Sequence, residues 1–164
     1  MYEVVSNNNA SVVYAAVTGF AEKKFKFWFP DYFFIVEVLW TDKRTTFIKR
    51  NYDDVLKLYN DLKSYYSEKY DCGVIKSPVF IPKLEGKKLF RKNSINLAEQ
   101  REMELQTFFK QLLGGNPLIS TNKIILDFFQ RRPTDPIPCK SNEEHPVISD
   151  DDDDDDEDIT LFDR

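Results

Sequence analysis

The stretch YFFIVEVLWTDKRTTFIKRNYDDVLKLYNDLKSYY, residues 32–66, changes its hydrophobic period from two to about 3.6, and that change decides the fold. Between Tyr32 and Trp40, Phe34, Val36, Val38 and Trp40 fall on one side of an extended chain, the alternation expected of a half-buried strand. Thr41-Asp42-Lys43-Arg44 has the polar composition of a turn, and Thr45 to Lys49 resumes a β-type run, so the two segments predict an antiparallel hairpin. From Tyr52 onward Val55, Leu58, Tyr59 and Leu62 are spaced 3, 1 and 3 apart, one stripe of an amphipathic helix suited to pack on that sheet.

Outward from this stretch, Ser11 to Ala21 reads as a further strand, which makes three antiparallel strands. Tyr70 to Lys88 contains Gly73, Pro78, Pro82 and Gly86 and predicts a long irregular loop, a type that usually carries function. A second helix is predicted from Asn96 to Leu113, ended by Gly114 and Gly115, and a last one follows a cap at Thr121 or Asn122. Beyond Pro138 apolar periodicity stops, and the acidic residues at 150–158 predict a disordered, self-repelling tail. The expected fold is therefore α+β: a three-stranded antiparallel sheet packed against a helical subdomain. The expected organisation is a flexible N-terminus over residues 1–10, one domain over 11–138 and a tail over 139–164.

The formal net charge of -5 hides an asymmetry. Residues 1–140 hold 22 basic and 16 acidic side chains, a balance of +6, whereas residues 141–164 hold 1 and 12, a balance of -11. A basic body joined to an acidic tail points to an anionic partner for the body, with the tail as a competitor. Ser149, followed directly by Asp150, Asp151 and Asp152, also has the look of a site for an acid-directed kinase. The only histidine, His145, lies in the tail, Cys72 and Cys139 have neither a nearby base nor metal-ligand spacing, and no phosphate-loop or dinucleotide-type glycine pattern occurs. No enzyme, catalytic residue, metal or cofactor is expected. Residues 1–10 lack a signal-type apolar core, and no stretch approaches the roughly 18 apolar residues of a span, so a cytoplasmic monomer is expected.

Four places suit phosphate chemistry. Arg50 and Tyr52 stand at the junction of strand and helix; a guanidinium binds two phosphate oxygens at once and an aromatic face suits an inositol ring, although the pair also fits an ordinary surface junction. The loop Ile81-Pro82-Lys83-Leu84-Glu85-Gly86-Lys87-Lys88 holds Lys87 ahead of Leu89 and Phe90, which suit a bilayer interface. Arg101 shares a helix face with Ala98 and Leu105. Phe25, Phe27, Trp28 and Phe29 are interleaved with Lys23, Lys24 and Lys26, a pattern open to either membrane contact or core packing. A nucleic-acid module also explains cations beside aromatics, but these cations gather around a proline loop rather than along a strand surface.

Over residues 10–138 the chain resembles the PX (phox-homology) family, most closely the type found in NADPH oxidase organisers and Tks scaffold proteins. The resemblance rests on Gly19-Phe20, Trp40-Thr41-Asp42, Ala98-Glu99-Gln100-Arg101 and Phe128-Phe129-Gln130-Arg131-Arg132-Pro133-Thr134-Asp135. It implies a module that binds phosphoinositide headgroups at endosomal or plasma membranes, within a signalling or trafficking complex. Its ligands would be Arg50 for a ring phosphate, commonly the 3-phosphate; Tyr52, displaced one residue by Asn51, stacking on the inositol; Lys87 for the linking phosphate; and Arg101 for the far side of the ring. Leu89, Phe90 and Trp28 would enter the membrane. The alternative is a scaffold domain with a degenerate lipid pocket.

Overall fold

The computed structural model describes residues 9–88, 92–137 and 159–162. Strand β1 (Val12–Phe25) pairs antiparallel with β2 (Trp28–Trp40), which pairs antiparallel with β3 (Thr45–Asn51). Helix α1 (Tyr52–Asp71) follows without a break, then the proline loop, α2 (Ile95–Gly115), the single turn α3 (Pro117–Ser120) and α4 (Lys123–Phe129). The predicted alternation along β2 is present: Phe34, Val36, Val38 and Trp40 are buried while Phe33, Ile35, Glu37 and Leu39 are only partly so. Their buried face meets Val55, Leu58 and Leu62 of α1 and Leu105, Phe108, Phe109 and Leu112 of α2 in one core, which Ile125, Phe128 and Phe129 of α4 close.

Local chemistry fixes each boundary. Asn51 caps α1: its side chain accepts from Asp54 N–H at 2.8 Å, and the Asp54 carboxylate accepts from Asn51 N–H at 3.0 Å, a reciprocal capping box. Ser94 caps α2 through Leu97 N–H, and of the two residues predicted to cap α4 it is Asn122 that does so, through Ile124 N–H. Gly114 and Gly115 are the last two residues of α2 rather than its stop, and the chain leaves the helix at Asn116, ahead of Pro117.

Two sequence expectations need correction. The basic-aromatic segment from Lys23 to Phe29 is not a loop outside the strands; β1 and β2 run on into it, with Phe25 opposite Trp28. The tail is not without regular structure to its end, because Ile159–Phe162 form strand β4, paired antiparallel with β1 in a sheet ordered β3-β2-β1-β4. Four residues of strand-favouring type within an acidic segment suffice to add to an edge. Residues 1–8, 139–158 and 163–164, where the rest of the flexible N-terminus and disordered tail were expected, lie outside the described residues.

Candidate headgroup-binding cavity

The alternation of β3 decides the fate of Arg50. Ile48 points into the core, so Arg50, two residues on, shares its face; both are fully buried. Its guanidinium donates to the carboxylate of Asp135 at 2.9 and 3.0 Å, to Lys49 O at 2.7 Å, to Phe128 O at 3.0 and 3.2 Å, and to Gln130 O at 2.8 Å. Asp135 also accepts from the backbone N–H of Lys49 at 2.9 Å and of Arg132 at 2.7 Å. Burial pulls the arginine's pKa down while Asp135 opposes the shift, so the ion pair and its carbonyl collar together hold the charge. Arg50 is therefore spent on joining β3 to the chain after α4 and does not face a ligand, contrary to the sequence expectation. The same contacts explain the Phe128-to-Asp135 motif: its carbonyls and carboxylate form the collar.

A separate cavity of about 560 Å³ opens between the proline loop and α2. Pro82 and Leu84 turn inward and anchor the loop, whereas Lys83 and Glu85 turn outward, so the loop presents its polar side to the cavity. Gly86 bends the chain at φ +81, a conformation that disfavours a side chain, and its N–H donates to the Tyr52 hydroxyl at 3.1 Å. That hydroxyl in turn donates to Glu104 Oε1 at 2.5 Å. Burial, followed by the Glu104 contact, pushes the Tyr52 phenol well above its ordinary range. Arg101 lies over the Tyr52 ring, 4.1 Å from its centroid, and donates to Asn93 Oδ1 at 3.4 Å. Tyr52 is thus a floor that positions both Arg101 and the Gly86 turn.

The structure brings together Tyr52 and Arg101 among the four expected ligands. Lys87 is not among the residues lining the cavity: it is exposed and paired with Asp53 of the first turn of α1, at 2.6 and 2.7 Å. Its neighbours Lys83 and Lys88 line the cavity instead, Lys88 lying 3.8 Å from Glu85. These two lysines and Glu104 were not singled out from the sequence, although Glu104 sits three residues beyond Arg101 on the same helix, and Lys83 is flanked by the buried Pro82 and Leu84. Leu89 and Phe90 lie outside the described residues, as does the side chain of Trp28. Around Trp28, however, Phe25, Phe27 and Phe29 are all exposed, Phe27 to 89%, so of the two uses open to this segment, membrane contact or core packing, these three rings do not serve the core. Lys92 Nζ sits 5.1 Å from the Phe29 ring, which puts the hairpin beside the segment that follows the cavity loop.

The PX domain family model matches residues 38–132, more than half of the chain. The chain belongs to the PX-domain family. The SH3 and PX domain-containing protein 2B of mouse and that of human are each 35% identical to it over 118 residues, which is 70% of this chain and 12% of theirs; the chain thus spans about 12% of the length of these curated relatives. PX domains are non-enzymatic modules that bind phosphoinositides, with membrane-targeting or scaffold roles. None of the helices among the described residues is long and apolar enough to cross a membrane.

Proposed function

We propose that this PX domain carries its protein to phosphoinositide-bearing membranes, endosomal or plasma, by holding the headgroup in the cavity between the proline loop and α2. The observation that carries this reading is the placement of Arg101 over the Tyr52 ring, at a cavity also lined by Lys83 and Lys88. Arg101 supplies a forked donor to a phosphate or to ring hydroxyls, and the two lysines supply mobile point charges. Lys87 joins them only by leaving Asp53. Leu89, Phe90 and the Phe25-to-Phe29 hairpin enter the interface once charge has brought the domain close. Because Arg50 is sealed away, the 3-phosphate contact implied by the family resemblance has no guanidinium on β3, so this domain discriminates weakly among phosphoinositides.

The 35% identity to SH3 and PX domain-containing protein 2B supports a scaffold or organiser role for the whole protein, joining a membrane to protein partners. A second reading, a scaffold domain whose lipid pocket is degenerate, is favoured by the sealed arginine and by the two carboxylates, Glu85 and Glu104, that line the cavity beside its three cations. Pelleting with liposomes that each carry one phosphoinositide separates the two. Phosphoinositide-dependent binding that Arg101→Ala removes supports the membrane reading, and binding indifferent to both the lipid and Arg101 supports the scaffold reading.

A further inference from the structure

Helix α1 has a second face besides the one it turns to the core. Tyr59, Lys63, Tyr66 and Tyr70 follow one another at i, i+4, i+7 and i+11, the spacing that keeps side chains on one side of a helix. At about 1.5 Å per residue that row is about 16 Å long, roughly the span of five residues of extended chain. Beside it runs the first half of the proline loop, and the two enclose a groove of about 640 Å³. In the loop Val79 and Ile81 pack against the core while Phe80 between them is 74% exposed, so this ring is held at the rim by its half-buried neighbours.

The walls of the groove are fixed by contacts of their own. The Tyr59 ring meets the core ring of Phe108 edge-on, with centroids 6.4 Å apart, and Lys63 Nζ lies 5.1 Å from the Tyr59 centroid. The Tyr66 hydroxyl donates to Leu118 O at 2.9 Å and accepts from the Asn122 side-chain amide at 3.1 Å. Lys63 and Lys83 line the groove, and among the described residues no carboxylate does. The headgroup cavity differs, because there Glu85 and Glu104 accompany the cations. Lys83 borders both spaces, so groove and cavity meet at one lysine.

We propose that this groove docks an extended segment of a partner protein in which apolar or aromatic side chains alternate with carboxylates. Tyrosine walls and an exposed phenylalanine at the rim suit apolar anchors, and two lysines with no acid among the lining residues suit the partner's Asp or Glu. A lipid phosphate is a poorer match, because the forked donor that grips one is an arginine, and among the described residues none lines the groove. The site goes beyond the membrane reading by giving the domain a face on which to meet a protein. One consequence rests on that reading: a headgroup in the cavity and a carboxylate in the groove both draw on Lys83, so each weakens the other.

The test selects phage-displayed random eight-residue peptides on the full chain. Enriched sequences are expected to place Asp or Glu beside Leu, Phe or Trp. The leading peptide, fluorescently labelled, is then titrated by anisotropy with the full chain and with two variants at exposed positions. Lys63→Glu should weaken it at least about tenfold by opposing like charges, and Phe80→Ser by a similar factor through lost apolar burial. Both variants should bind a soluble inositol phosphate headgroup as the full chain does, and saturating headgroup should raise the peptide's apparent Kd about fivefold. No enrichment of acidic-apolar sequences, or an enriched peptide indifferent to both substitutions, overturns the docking site. So does a Lys63→Glu chain that loses binding to phosphatidylserine vesicles while no selected peptide depends on Lys63, which makes the groove a lipid contact. Peptide affinity unchanged by a headgroup that does bind overturns the sharing of Lys83. Headgroup binding absent from every chain overturns the cavity reading alone, because the peptide selection proceeds without it.

Discussion

Arg50 and Arg101 are both offered by the sequence as phosphate ligands, and the fold treats them in opposite ways. Arg50 sits on the inward face of β3 with every hydrogen bond made to Asp135 and to backbone carbonyls. Arg101 lies half-buried on α2, its guanidinium over an aromatic ring at the wall of a cavity. A basic residue beside an aromatic is therefore not a site until the periodicity of its own element is taken into account: on a strand one step changes the face, and on a helix one step turns about 100°.

The largest expected effect breaks the first half of this comparison. Removing one partner of a buried, hydrogen-bonded pair leaves a charge stranded, so Arg50→Ala should lower unfolding stability by about 3–5 kcal/mol in denaturant melts. The Arg50→Ala, Asp135→Ala double variant should lose less than the sum of the two single changes. An unchanged midpoint for Arg50→Ala would show that the arginine is not structural. Arg101→Ala should do the reverse, with a small change in stability and a loss of headgroup affinity of roughly ten- to a hundredfold, the worth of a charge-assisted hydrogen bond. The aromatic hairpin comes next: Phe27→Ser with Phe29→Ser should weaken vesicle binding about tenfold through lost apolar burial, while soluble headgroup binding stays unchanged.

Much of this was legible in the sequence. The period-two run of β2 and the 3, 1, 3 spacing in α1 placed sheet and helix correctly, and Arg101 was rightly put on the face of Ala98 and Leu105, both of which are buried. Arg50 was misplaced because a local motif outweighed the alternation that ties it to Ile48. Its partner is 85 residues away, and no local pattern reports so distant a contact. Lys87 was expected to be the ligand as the lysine that closes the proline loop, yet it pairs with Asp53, and Lys83 and Lys88 line the cavity instead. Strand β4 was missed because composition dominated: four strand-forming residues, Ile159 to Phe162, are submerged in a segment of charge -11, and their partner strand starts at the other end of the chain.

Smaller effects sharpen the comparison within the cavity. Tyr52→Phe removes the donor to Glu104 and the acceptor for Gly86 N–H, which should cost about 1 kcal/mol of stability and loosen the loop. Tyr32 is pushed up to about 12 by burial and then by Glu22, and Tyr52 is also raised. Their folded pKa values therefore exceed the unfolded value of about 10, so the stability they contribute is full below that pH and is lost as pH rises through the folded values. Burial raises Tyr66 as well, so among the described residues ultraviolet titration should show three late-ionising tyrosines in the parent chain and two in Tyr52→Phe. Lys87→Ala, which breaks only an exposed pair, should change headgroup affinity less than about threefold, and a loss as large as that of Arg101→Ala would return Lys87 to the site.

The most direct measurement is an NMR titration of the full chain with a soluble phosphoinositide headgroup, following the backbone amide of Gly86 together with the guanidinium Nε–H signals of Arg50 and Arg101. The structure predicts saturable shifts at Gly86 and Arg101, which share the Tyr52 floor, and a stationary Arg50 signal protected from exchange by its carbonyl and carboxylate partners. A titrating Arg50 with Arg101 and Gly86 unmoved would contradict the account and return the headgroup to the β3–α1 junction.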